Sequence, residues 1–336
     1  MSTTDAAPDT AQERSPSMRR SGRRFGDSAF GTLSIGAGVL IFVTLALVAI
    51  FLTSESMPAI LASQELRGTA DFSLIDYTLP LIFGTVLASA LALAVAIPIS
   101  LGIAVFISHY APRRMAAGLG YMIDLLAAVP SVVYGLWGGI WLVPRLEPLY
   151  IFLNDTLGSW PVWPQFLPWV GGEPVIALFA GDPTAPMRNL ASASIVLAVM
   201  VLPIITAVSR EVFLQTPLLQ EEAALALGAT RWEVIRTVVL PFGRSGAVAA
   251  SMLGLGRALG ETMAVLMILA PGFTFSLHIL EVGSHQSIAA NIASRQAEAS
   301  GVDMSLLVFT GLVLFVLTFI INAIARWIVA RSGVKS

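Results

Sequence analysis

The chain has 336 residues, 56% hydrophobic and 12% charged, where a soluble domain carries about 25% charged residues. A net charge of -2 and a mean hydropathy of +0.81 exclude a nucleic-acid binder and point to a polytopic membrane protein. The absence of cysteine excludes disulfides, cysteine-ligated zinc and thiol catalysis.

In chain order, residues 1–28 are polar and arginine-rich and read as a disordered tail. Residues 29–336 read as one membrane domain with its core at 79–330. Apolar segments lie near 29–52, 79–107, 119–143, 190–210, 246–270 and 304–330. Each reaches the ~20 residues that span a bilayer as a helix. The first is longer than a signal-peptide core of about 7–15 residues and lacks a small-residue cleavage site, so it reads as a retained helix. The expected fold is all-α, with six transmembrane helices and both termini on one side.

Arginine placement chooses that side. Arg14, Arg19, Arg20, Arg23 and Arg24, then Arg113 and Arg114, then Arg210, Arg231, Arg236 and Arg244, then Arg326, Arg331 and Lys335 fall together. The opposite loops hold Arg67, Arg145, Arg188 and Arg295 among many acids. Both termini are therefore expected in the cytoplasm. The outer loop at about 144–189 carries Trp160, Pro161, Trp163, Pro164, Pro168 and Trp169. It reads either as a segment on the headgroups or as a docking surface for an external partner.

The only lysine, Lys335, lies between Val334 and Ser336. A P-loop needs Gly-Lys-Ser/Thr to reach nucleotide phosphates. The chain cannot bind ATP by that device, so no cofactor is expected in it; if ATP drives it, another chain supplies the site.

The connection at about 211–245 holds Glu221-Glu222-Ala223-Ala224-Leu225-Ala226-Leu227-Gly228-Ala229, a strong helix former with a natural stop at Gly228. Thr216-Pro217 is a plausible start, and a second helix is predicted over 231–239, ending before Pro241. The bland alternative is an amphipathic helix on the membrane surface. Glu222-Ala223-Ala224, Gly228, Val238, Leu240 and Pro241 stand at the spacings of the EAA loop of ABC importer permeases. That resemblance implies that Glu222, Ala223, Ala224, Gly228, Ala229, Leu240 and Pro241 couple the chain to a cytoplasmic ATPase.

The fifth apolar segment contains Arg257 and Glu261, each costing about 2.5–3.5 kcal/mol if left facing lipid. Read as one helix, the four-residue spacing puts both on one face, with Glu261 neutralising Arg257. Small-residue rows, Gly246-Ala250-Gly254-Ala258 and Gly256-Gly260-Ala264, predict close helix packing. Arginine presents a planar fork of donors to an oxyanion. The alternative is a structural ion pair. Thr262, Ser131 and Tyr134 join Arg257 and Glu261 as candidate pathway residues. Pro130 and Ser131 predict a kink in the third span, with backbone exposed to the pathway as one reading and a packing kink as the other.

The run Gly256-Arg257-Ala258-Leu259-Gly260-Glu261-Thr262-Met263-Ala264-Val265 resembles the PstC-type phosphate importer permeases, as do 124–135 and 203–211. The resemblance implies a type I importer permease (MetI-like) fold. Its implied partners are a homologous PstA-like permease, two PstB-like ATPase subunits holding ATP and magnesium, and an external PstS-like phosphate-binding protein. Permeases for molybdate or sulfate, a stand-alone secondary anion transporter and a membrane-embedded enzyme are the rival readings.

Overall fold

The computed structural model describes residues 25–66, 73–158, 178–181 and 184–332. Residues 1–24 of the expected tail, the Trp/Pro-rich stretch 159–177 of the outer loop and Lys335 lie outside the described residues, whereas 25–28, expected in the tail, already belong to the first helix. Helix α1 is Phe25–Leu66. Residues up to Ile50 form one compact unit and Phe51–Ser336 a second.

In the second unit, α2 is Leu74–Val105, α3 Arg113–Ala127, α4 Ser131–Trp137, α5 Val143–Leu153 and α6 Leu190–Leu214. Next come α7 Leu218–Ala226, α8 Arg231–Val234, α9 Leu240–Leu259, α10 Met263–Ile268, α11 Ile288–Arg295 and α12 Val302–Ser332. Single π-turns join α4 to α5 at Gly138–Leu142 and α8 to α9 at Ile235–Val239. Five described helices are long and apolar enough to cross a membrane, or six if a bent pair counts as one span.

That bent pair is the expected third span. It is two helical segments, Arg113–Ala127 and Ser131–Leu157, meeting at 91°. Pro130 explains the break, since it supplies no N–H and pushes its predecessor out of helical backbone. The expected second coupling helix does not stop before Pro241 either. It runs through the π-turn into α9, with Pro241 in the first turn of α9, where a missing donor is tolerated.

The core forms around α6. Asn189 caps it, its side chain accepting from Ser192 N at 2.9 Å. One face of α2 reads Gly84, Ala88, Ala92, Ala96, Ser100 and Ala104, all buried, and α6 packs along α2. In lipid, apolar side chains gain little by leaving one apolar phase for another, so close backbone approach does the work. Ser100 Oγ donates across to Leu202 O at 3.1 Å, worth about 0.6 kcal/mol in such settings. On its other side α6 receives α9: an added Cβ on Gly254 would lie 2.8 Å from the Ile205 side chain. The first small-residue row of α9 thus packs as expected. The second is interrupted: open space surrounds the Cβ position of Gly256, whereas Ala264, on α10, is buried and packs against Gly135.

Between α10 and α11 the chain is non-helical, so its backbone groups need partners from elsewhere. Ala270 N donates to Arg188 O, Ile279 N to Leu178 O, Thr274 N to Ser284 O, and Asn189 Nδ2 to Leu280 O. The buried His285 bonds through Nε2 with Ser276 O at 2.6 Å.

Candidate functional site

The expected fifth span breaks at Gly260. Helix α9 ends at Leu259, and α10 starts at Met263. Arg257 and Glu261 therefore do not share a helix face, and the expected neutralising ion pair is not formed. Glu261 is 8% exposed, and its Oε1 accepts from Ala264 N at 3.1 Å. The physical reason is the orphan N–H groups at the start of α10, which need an acceptor and favour a negative charge. Among the described residues, Arg257 forms no ion pair.

Helix α4 packs against α10. An added Cβ on Gly135 would sit 2.7 Å from the Ala264 Cα, so glycine is required at this crossing. Ser131, the first residue of α4, and Thr262, just before α10, are both half-buried. Thr262 Oγ1 donates to Gly260 O at 3.2 Å. The Tyr134 hydroxyl donates to Leu126 O at 2.9 Å, bridging the break at Pro130. Its proton is therefore committed to the fold rather than offered to an anion. Of the candidate pathway residues, Ser131 and Tyr134 thus lie on α4, Glu261 and Thr262 in the break that leads into α10, and Arg257 near the end of α9.

Arg257 lines a cavity of about 1000 Å³ with Ile204, Met252, Leu253, Asn322 and Arg326. Asn322 and Arg326 are functional candidates that sequence reasoning missed. Their i, i+4 spacing on one face of α12 was visible, but Arg326 served only to orient the chain. Asp124 and Arg210 also meet, 3.6 Å apart, linking α3 to α6, while Glu211 Oε1 lies 2.6 Å from Arg210.

Glu222, Ala223 and Ala224 stand on α7, which buries none of its side chains. Gly228 has φ +87°, left-handed backbone that favours glycine. Thr230 and Glu233 form a capping box on α8, Thr230 Oγ1 accepting from Glu233 N at 3.3 Å. Glu221 lies 3.4 Å from His109, which ties α7 to the π-turn Phe106–Tyr110 that follows α2. Leu218, Leu219, Leu227 and Trp232 are exposed around this turn. Leu240 and Pro241 open α9.

Residues 96–334 match the family described as binding-protein-dependent transport system inner membrane component. The phosphate transport system permease protein PstC 2 of Mycobacterium tuberculosis is 46% identical over 311 residues, 90% of this chain and 91% of that one. PstC of Mycobacterium leprae is 44% identical, covering 83% and 85%. PstC of Mesorhizobium japonicum is 37% identical, covering 97% and 98%. An inward-facing structure of the MetNI methionine ABC transporter aligns at 15% identity and TM-score 0.49, over 78% of this chain and 96% of that one. With its membrane helices and the match from the middle of α2 to the end of α12, the chain belongs to the binding-protein-dependent transport system inner membrane component family.

Proposed function

We propose that the chain is the permease subunit of an ATP-binding-cassette importer that carries inorganic phosphate across the cytoplasmic membrane, with both termini in the cytoplasm. A PstA-like permease completes the pore, two PstB-like ATPases hydrolyse ATP beneath it, and a PstS-like protein delivers phosphate from outside. The observation that carries this reading is Arg257: a guanidinium without an ion-pair partner among the described residues, lining a large cavity. That it does so in a chain 37–46% identical to phosphate transport permeases supports the choice of anion.

The guanidinium stays charged and offers two parallel donors to a tetrahedral oxyanion. Glu261 is engaged by α10, so no carboxylate has to be displaced before the anion arrives. A site of one arginine binds selectively without holding the anion too tightly to release. The acidic outer loops would repel free phosphate, which explains the need for a delivery protein. The exposed α7 and the turn at Gly228 form the face that docks on the ATPase.

The test is reconstitution of the chain with its permease partner, ATPase and binding protein in liposomes. ATP-driven uptake of phosphate far above sulfate is expected, and its loss in Arg257→Ala with the complex still assembled. Equal sulfate uptake, or normal phosphate uptake by Arg257→Ala, would overturn the reading.

A further inference from the structure

The cavity that contains Arg257 also contains Arg326 and Asn322, brought in by α12 from 65 or more positions further along the chain. Both are exposed. The remaining lining residues are Ala127, Ile204, Ala249, Met252, Leu253, Gly256 and Ala325, so the lining residues carry two positive charges and no acid. Among the described residues, Arg326 forms no ion pair. A cleft of one sign with low-dielectric walls focuses its field and concentrates counter-ions.

We propose that Arg326 is a second oxyanion station, with Asn322 one turn before it, taking the anion from Arg257 towards the end of the pore where α7 and α8 lie. The inference rests on the phosphate-permease reading above. Helix α9 sets the direction. Ala249 lies two turns nearer its start than Arg257, on the side of the coupling turn, and the cavity reaches both. An anion leaving the half-buried Arg257 along the apolar part of the cavity wall would face a desolvation cost. A second guanidinium, solvent-exposed, divides that step in two. Asn322 adds an amide donor on the same face of α12. Counting Arg326 only as a determinant of orientation leaves its presence in the cavity unexplained.

The test uses the assembled transporter in liposomes with two readouts. The first is ATP-driven uptake of radiolabelled phosphate. The second is the field inside the cavity. The chain has no cysteine, so Ala249→Cys places one thiol of this subunit in the cavity wall. Its reaction rates with negatively and positively charged thiosulfonates report the local potential. Arg326→Gln is expected to slow uptake about tenfold, the scale of one lost charge-assisted hydrogen bond. It also lowers the anionic-to-cationic reaction ratio several-fold. Arg326→Lys, which keeps the charge but not the fork, restores the ratio and part of the uptake. Unchanged uptake in Arg326→Gln overturns the proposal, as does slow uptake with an unchanged ratio, or a ratio that lysine fails to restore. Arg257→Gln separates the two levels. If it too transports normally, the phosphate pathway falls; if it is inactive while Arg326→Gln is normal, only the second station falls.

Discussion

Glu261 combines a negative charge with a hydrogen-bond acceptor, and two substitutions separate them. Glu261→Gln keeps an oxygen for Ala264 N, whereas Glu261→Ala removes it. A lost cap costs about 1 kcal/mol. The alanine variant should therefore unfold at a lower temperature in detergent, while the glutamine variant stays near wild type. Phosphate uptake should fail in both if the charge takes part in transport; normal uptake in Glu261→Gln would confine Glu261 to a structural role. The four-residue spacing from Arg257 implies a pair only on a continuous helix, and the helix breaks between the two residues. Gly260 followed by Glu261 and Thr262, just ahead of an apolar run, carries the signature of a helix end and a new start. The placing of the Arg257 guanidinium within an apolar segment was legible in the sequence; its lack of a carboxylate partner among the described residues was not. His285 makes a second prediction at this scale. Only 1% exposed, it has a pKa lowered by burial, against a raising effect of its bond to Ser276 O. The unfolded chain therefore binds the proton more tightly, and stability falls as pH drops below about 6.5. Thermal unfolding at pH 8 and pH 5 should show a gap that narrows in His285→Gln; an equal gap in both proteins would contradict the assignment.

Among the elements, α2 shows how small side chains hold a membrane core. Ala92 is fully buried on the α2 face that reads small every four residues. Ala92→Leu would overpack that contact, at a cost of about 1–3 kcal/mol. A clear drop in the unfolding midpoint is expected, whereas the same change at the exposed Ala90 should leave it near wild type. The stripe is as readable in the sequence as the rows that start at Gly246 and Gly256; of these the first packs against α6, and Gly256 of the second lines the cavity. The turn at Gly228 gives the opposite case. Nothing lies within 4 Å of the Cβ position of Gly228, so Gly228→Asp leaves the membrane core untouched. It strains one turn by roughly 1–2 kcal/mol, from the φ of +87°. The complex should still assemble, yet phosphate uptake should no longer follow ATP hydrolysis; coupled uptake at the wild-type rate would remove the turn from the mechanism.

Across the whole molecule, membrane character and the number of apolar segments follow from hydropathy, because every lipid-facing backbone group must be bonded within its own helix. What hydropathy does not carry is the pairing of distant residues. Leu178 with Ile279, Arg188 with Ala270 and Arg257 with Arg326 each depend on how the helices are arranged. Pro130 signalled a bend, but the 91° turn it marks is set by what α3 and α4 pack against. Helix α7 carries one further implication. Nine residues long with no buried side chain, it is shorter than the 12 or so residues at which an isolated helix becomes even marginal in water. Tied down by the Glu221–His109 contact and by packing on α8 and the π-turn after it, with its own side chains exposed or half-buried, it is a natural first point of attack for a protease. Nicking near Arg231 or Arg236 would then serve as a gauge of whether that face is covered, cut quickly when bare and spared when occupied.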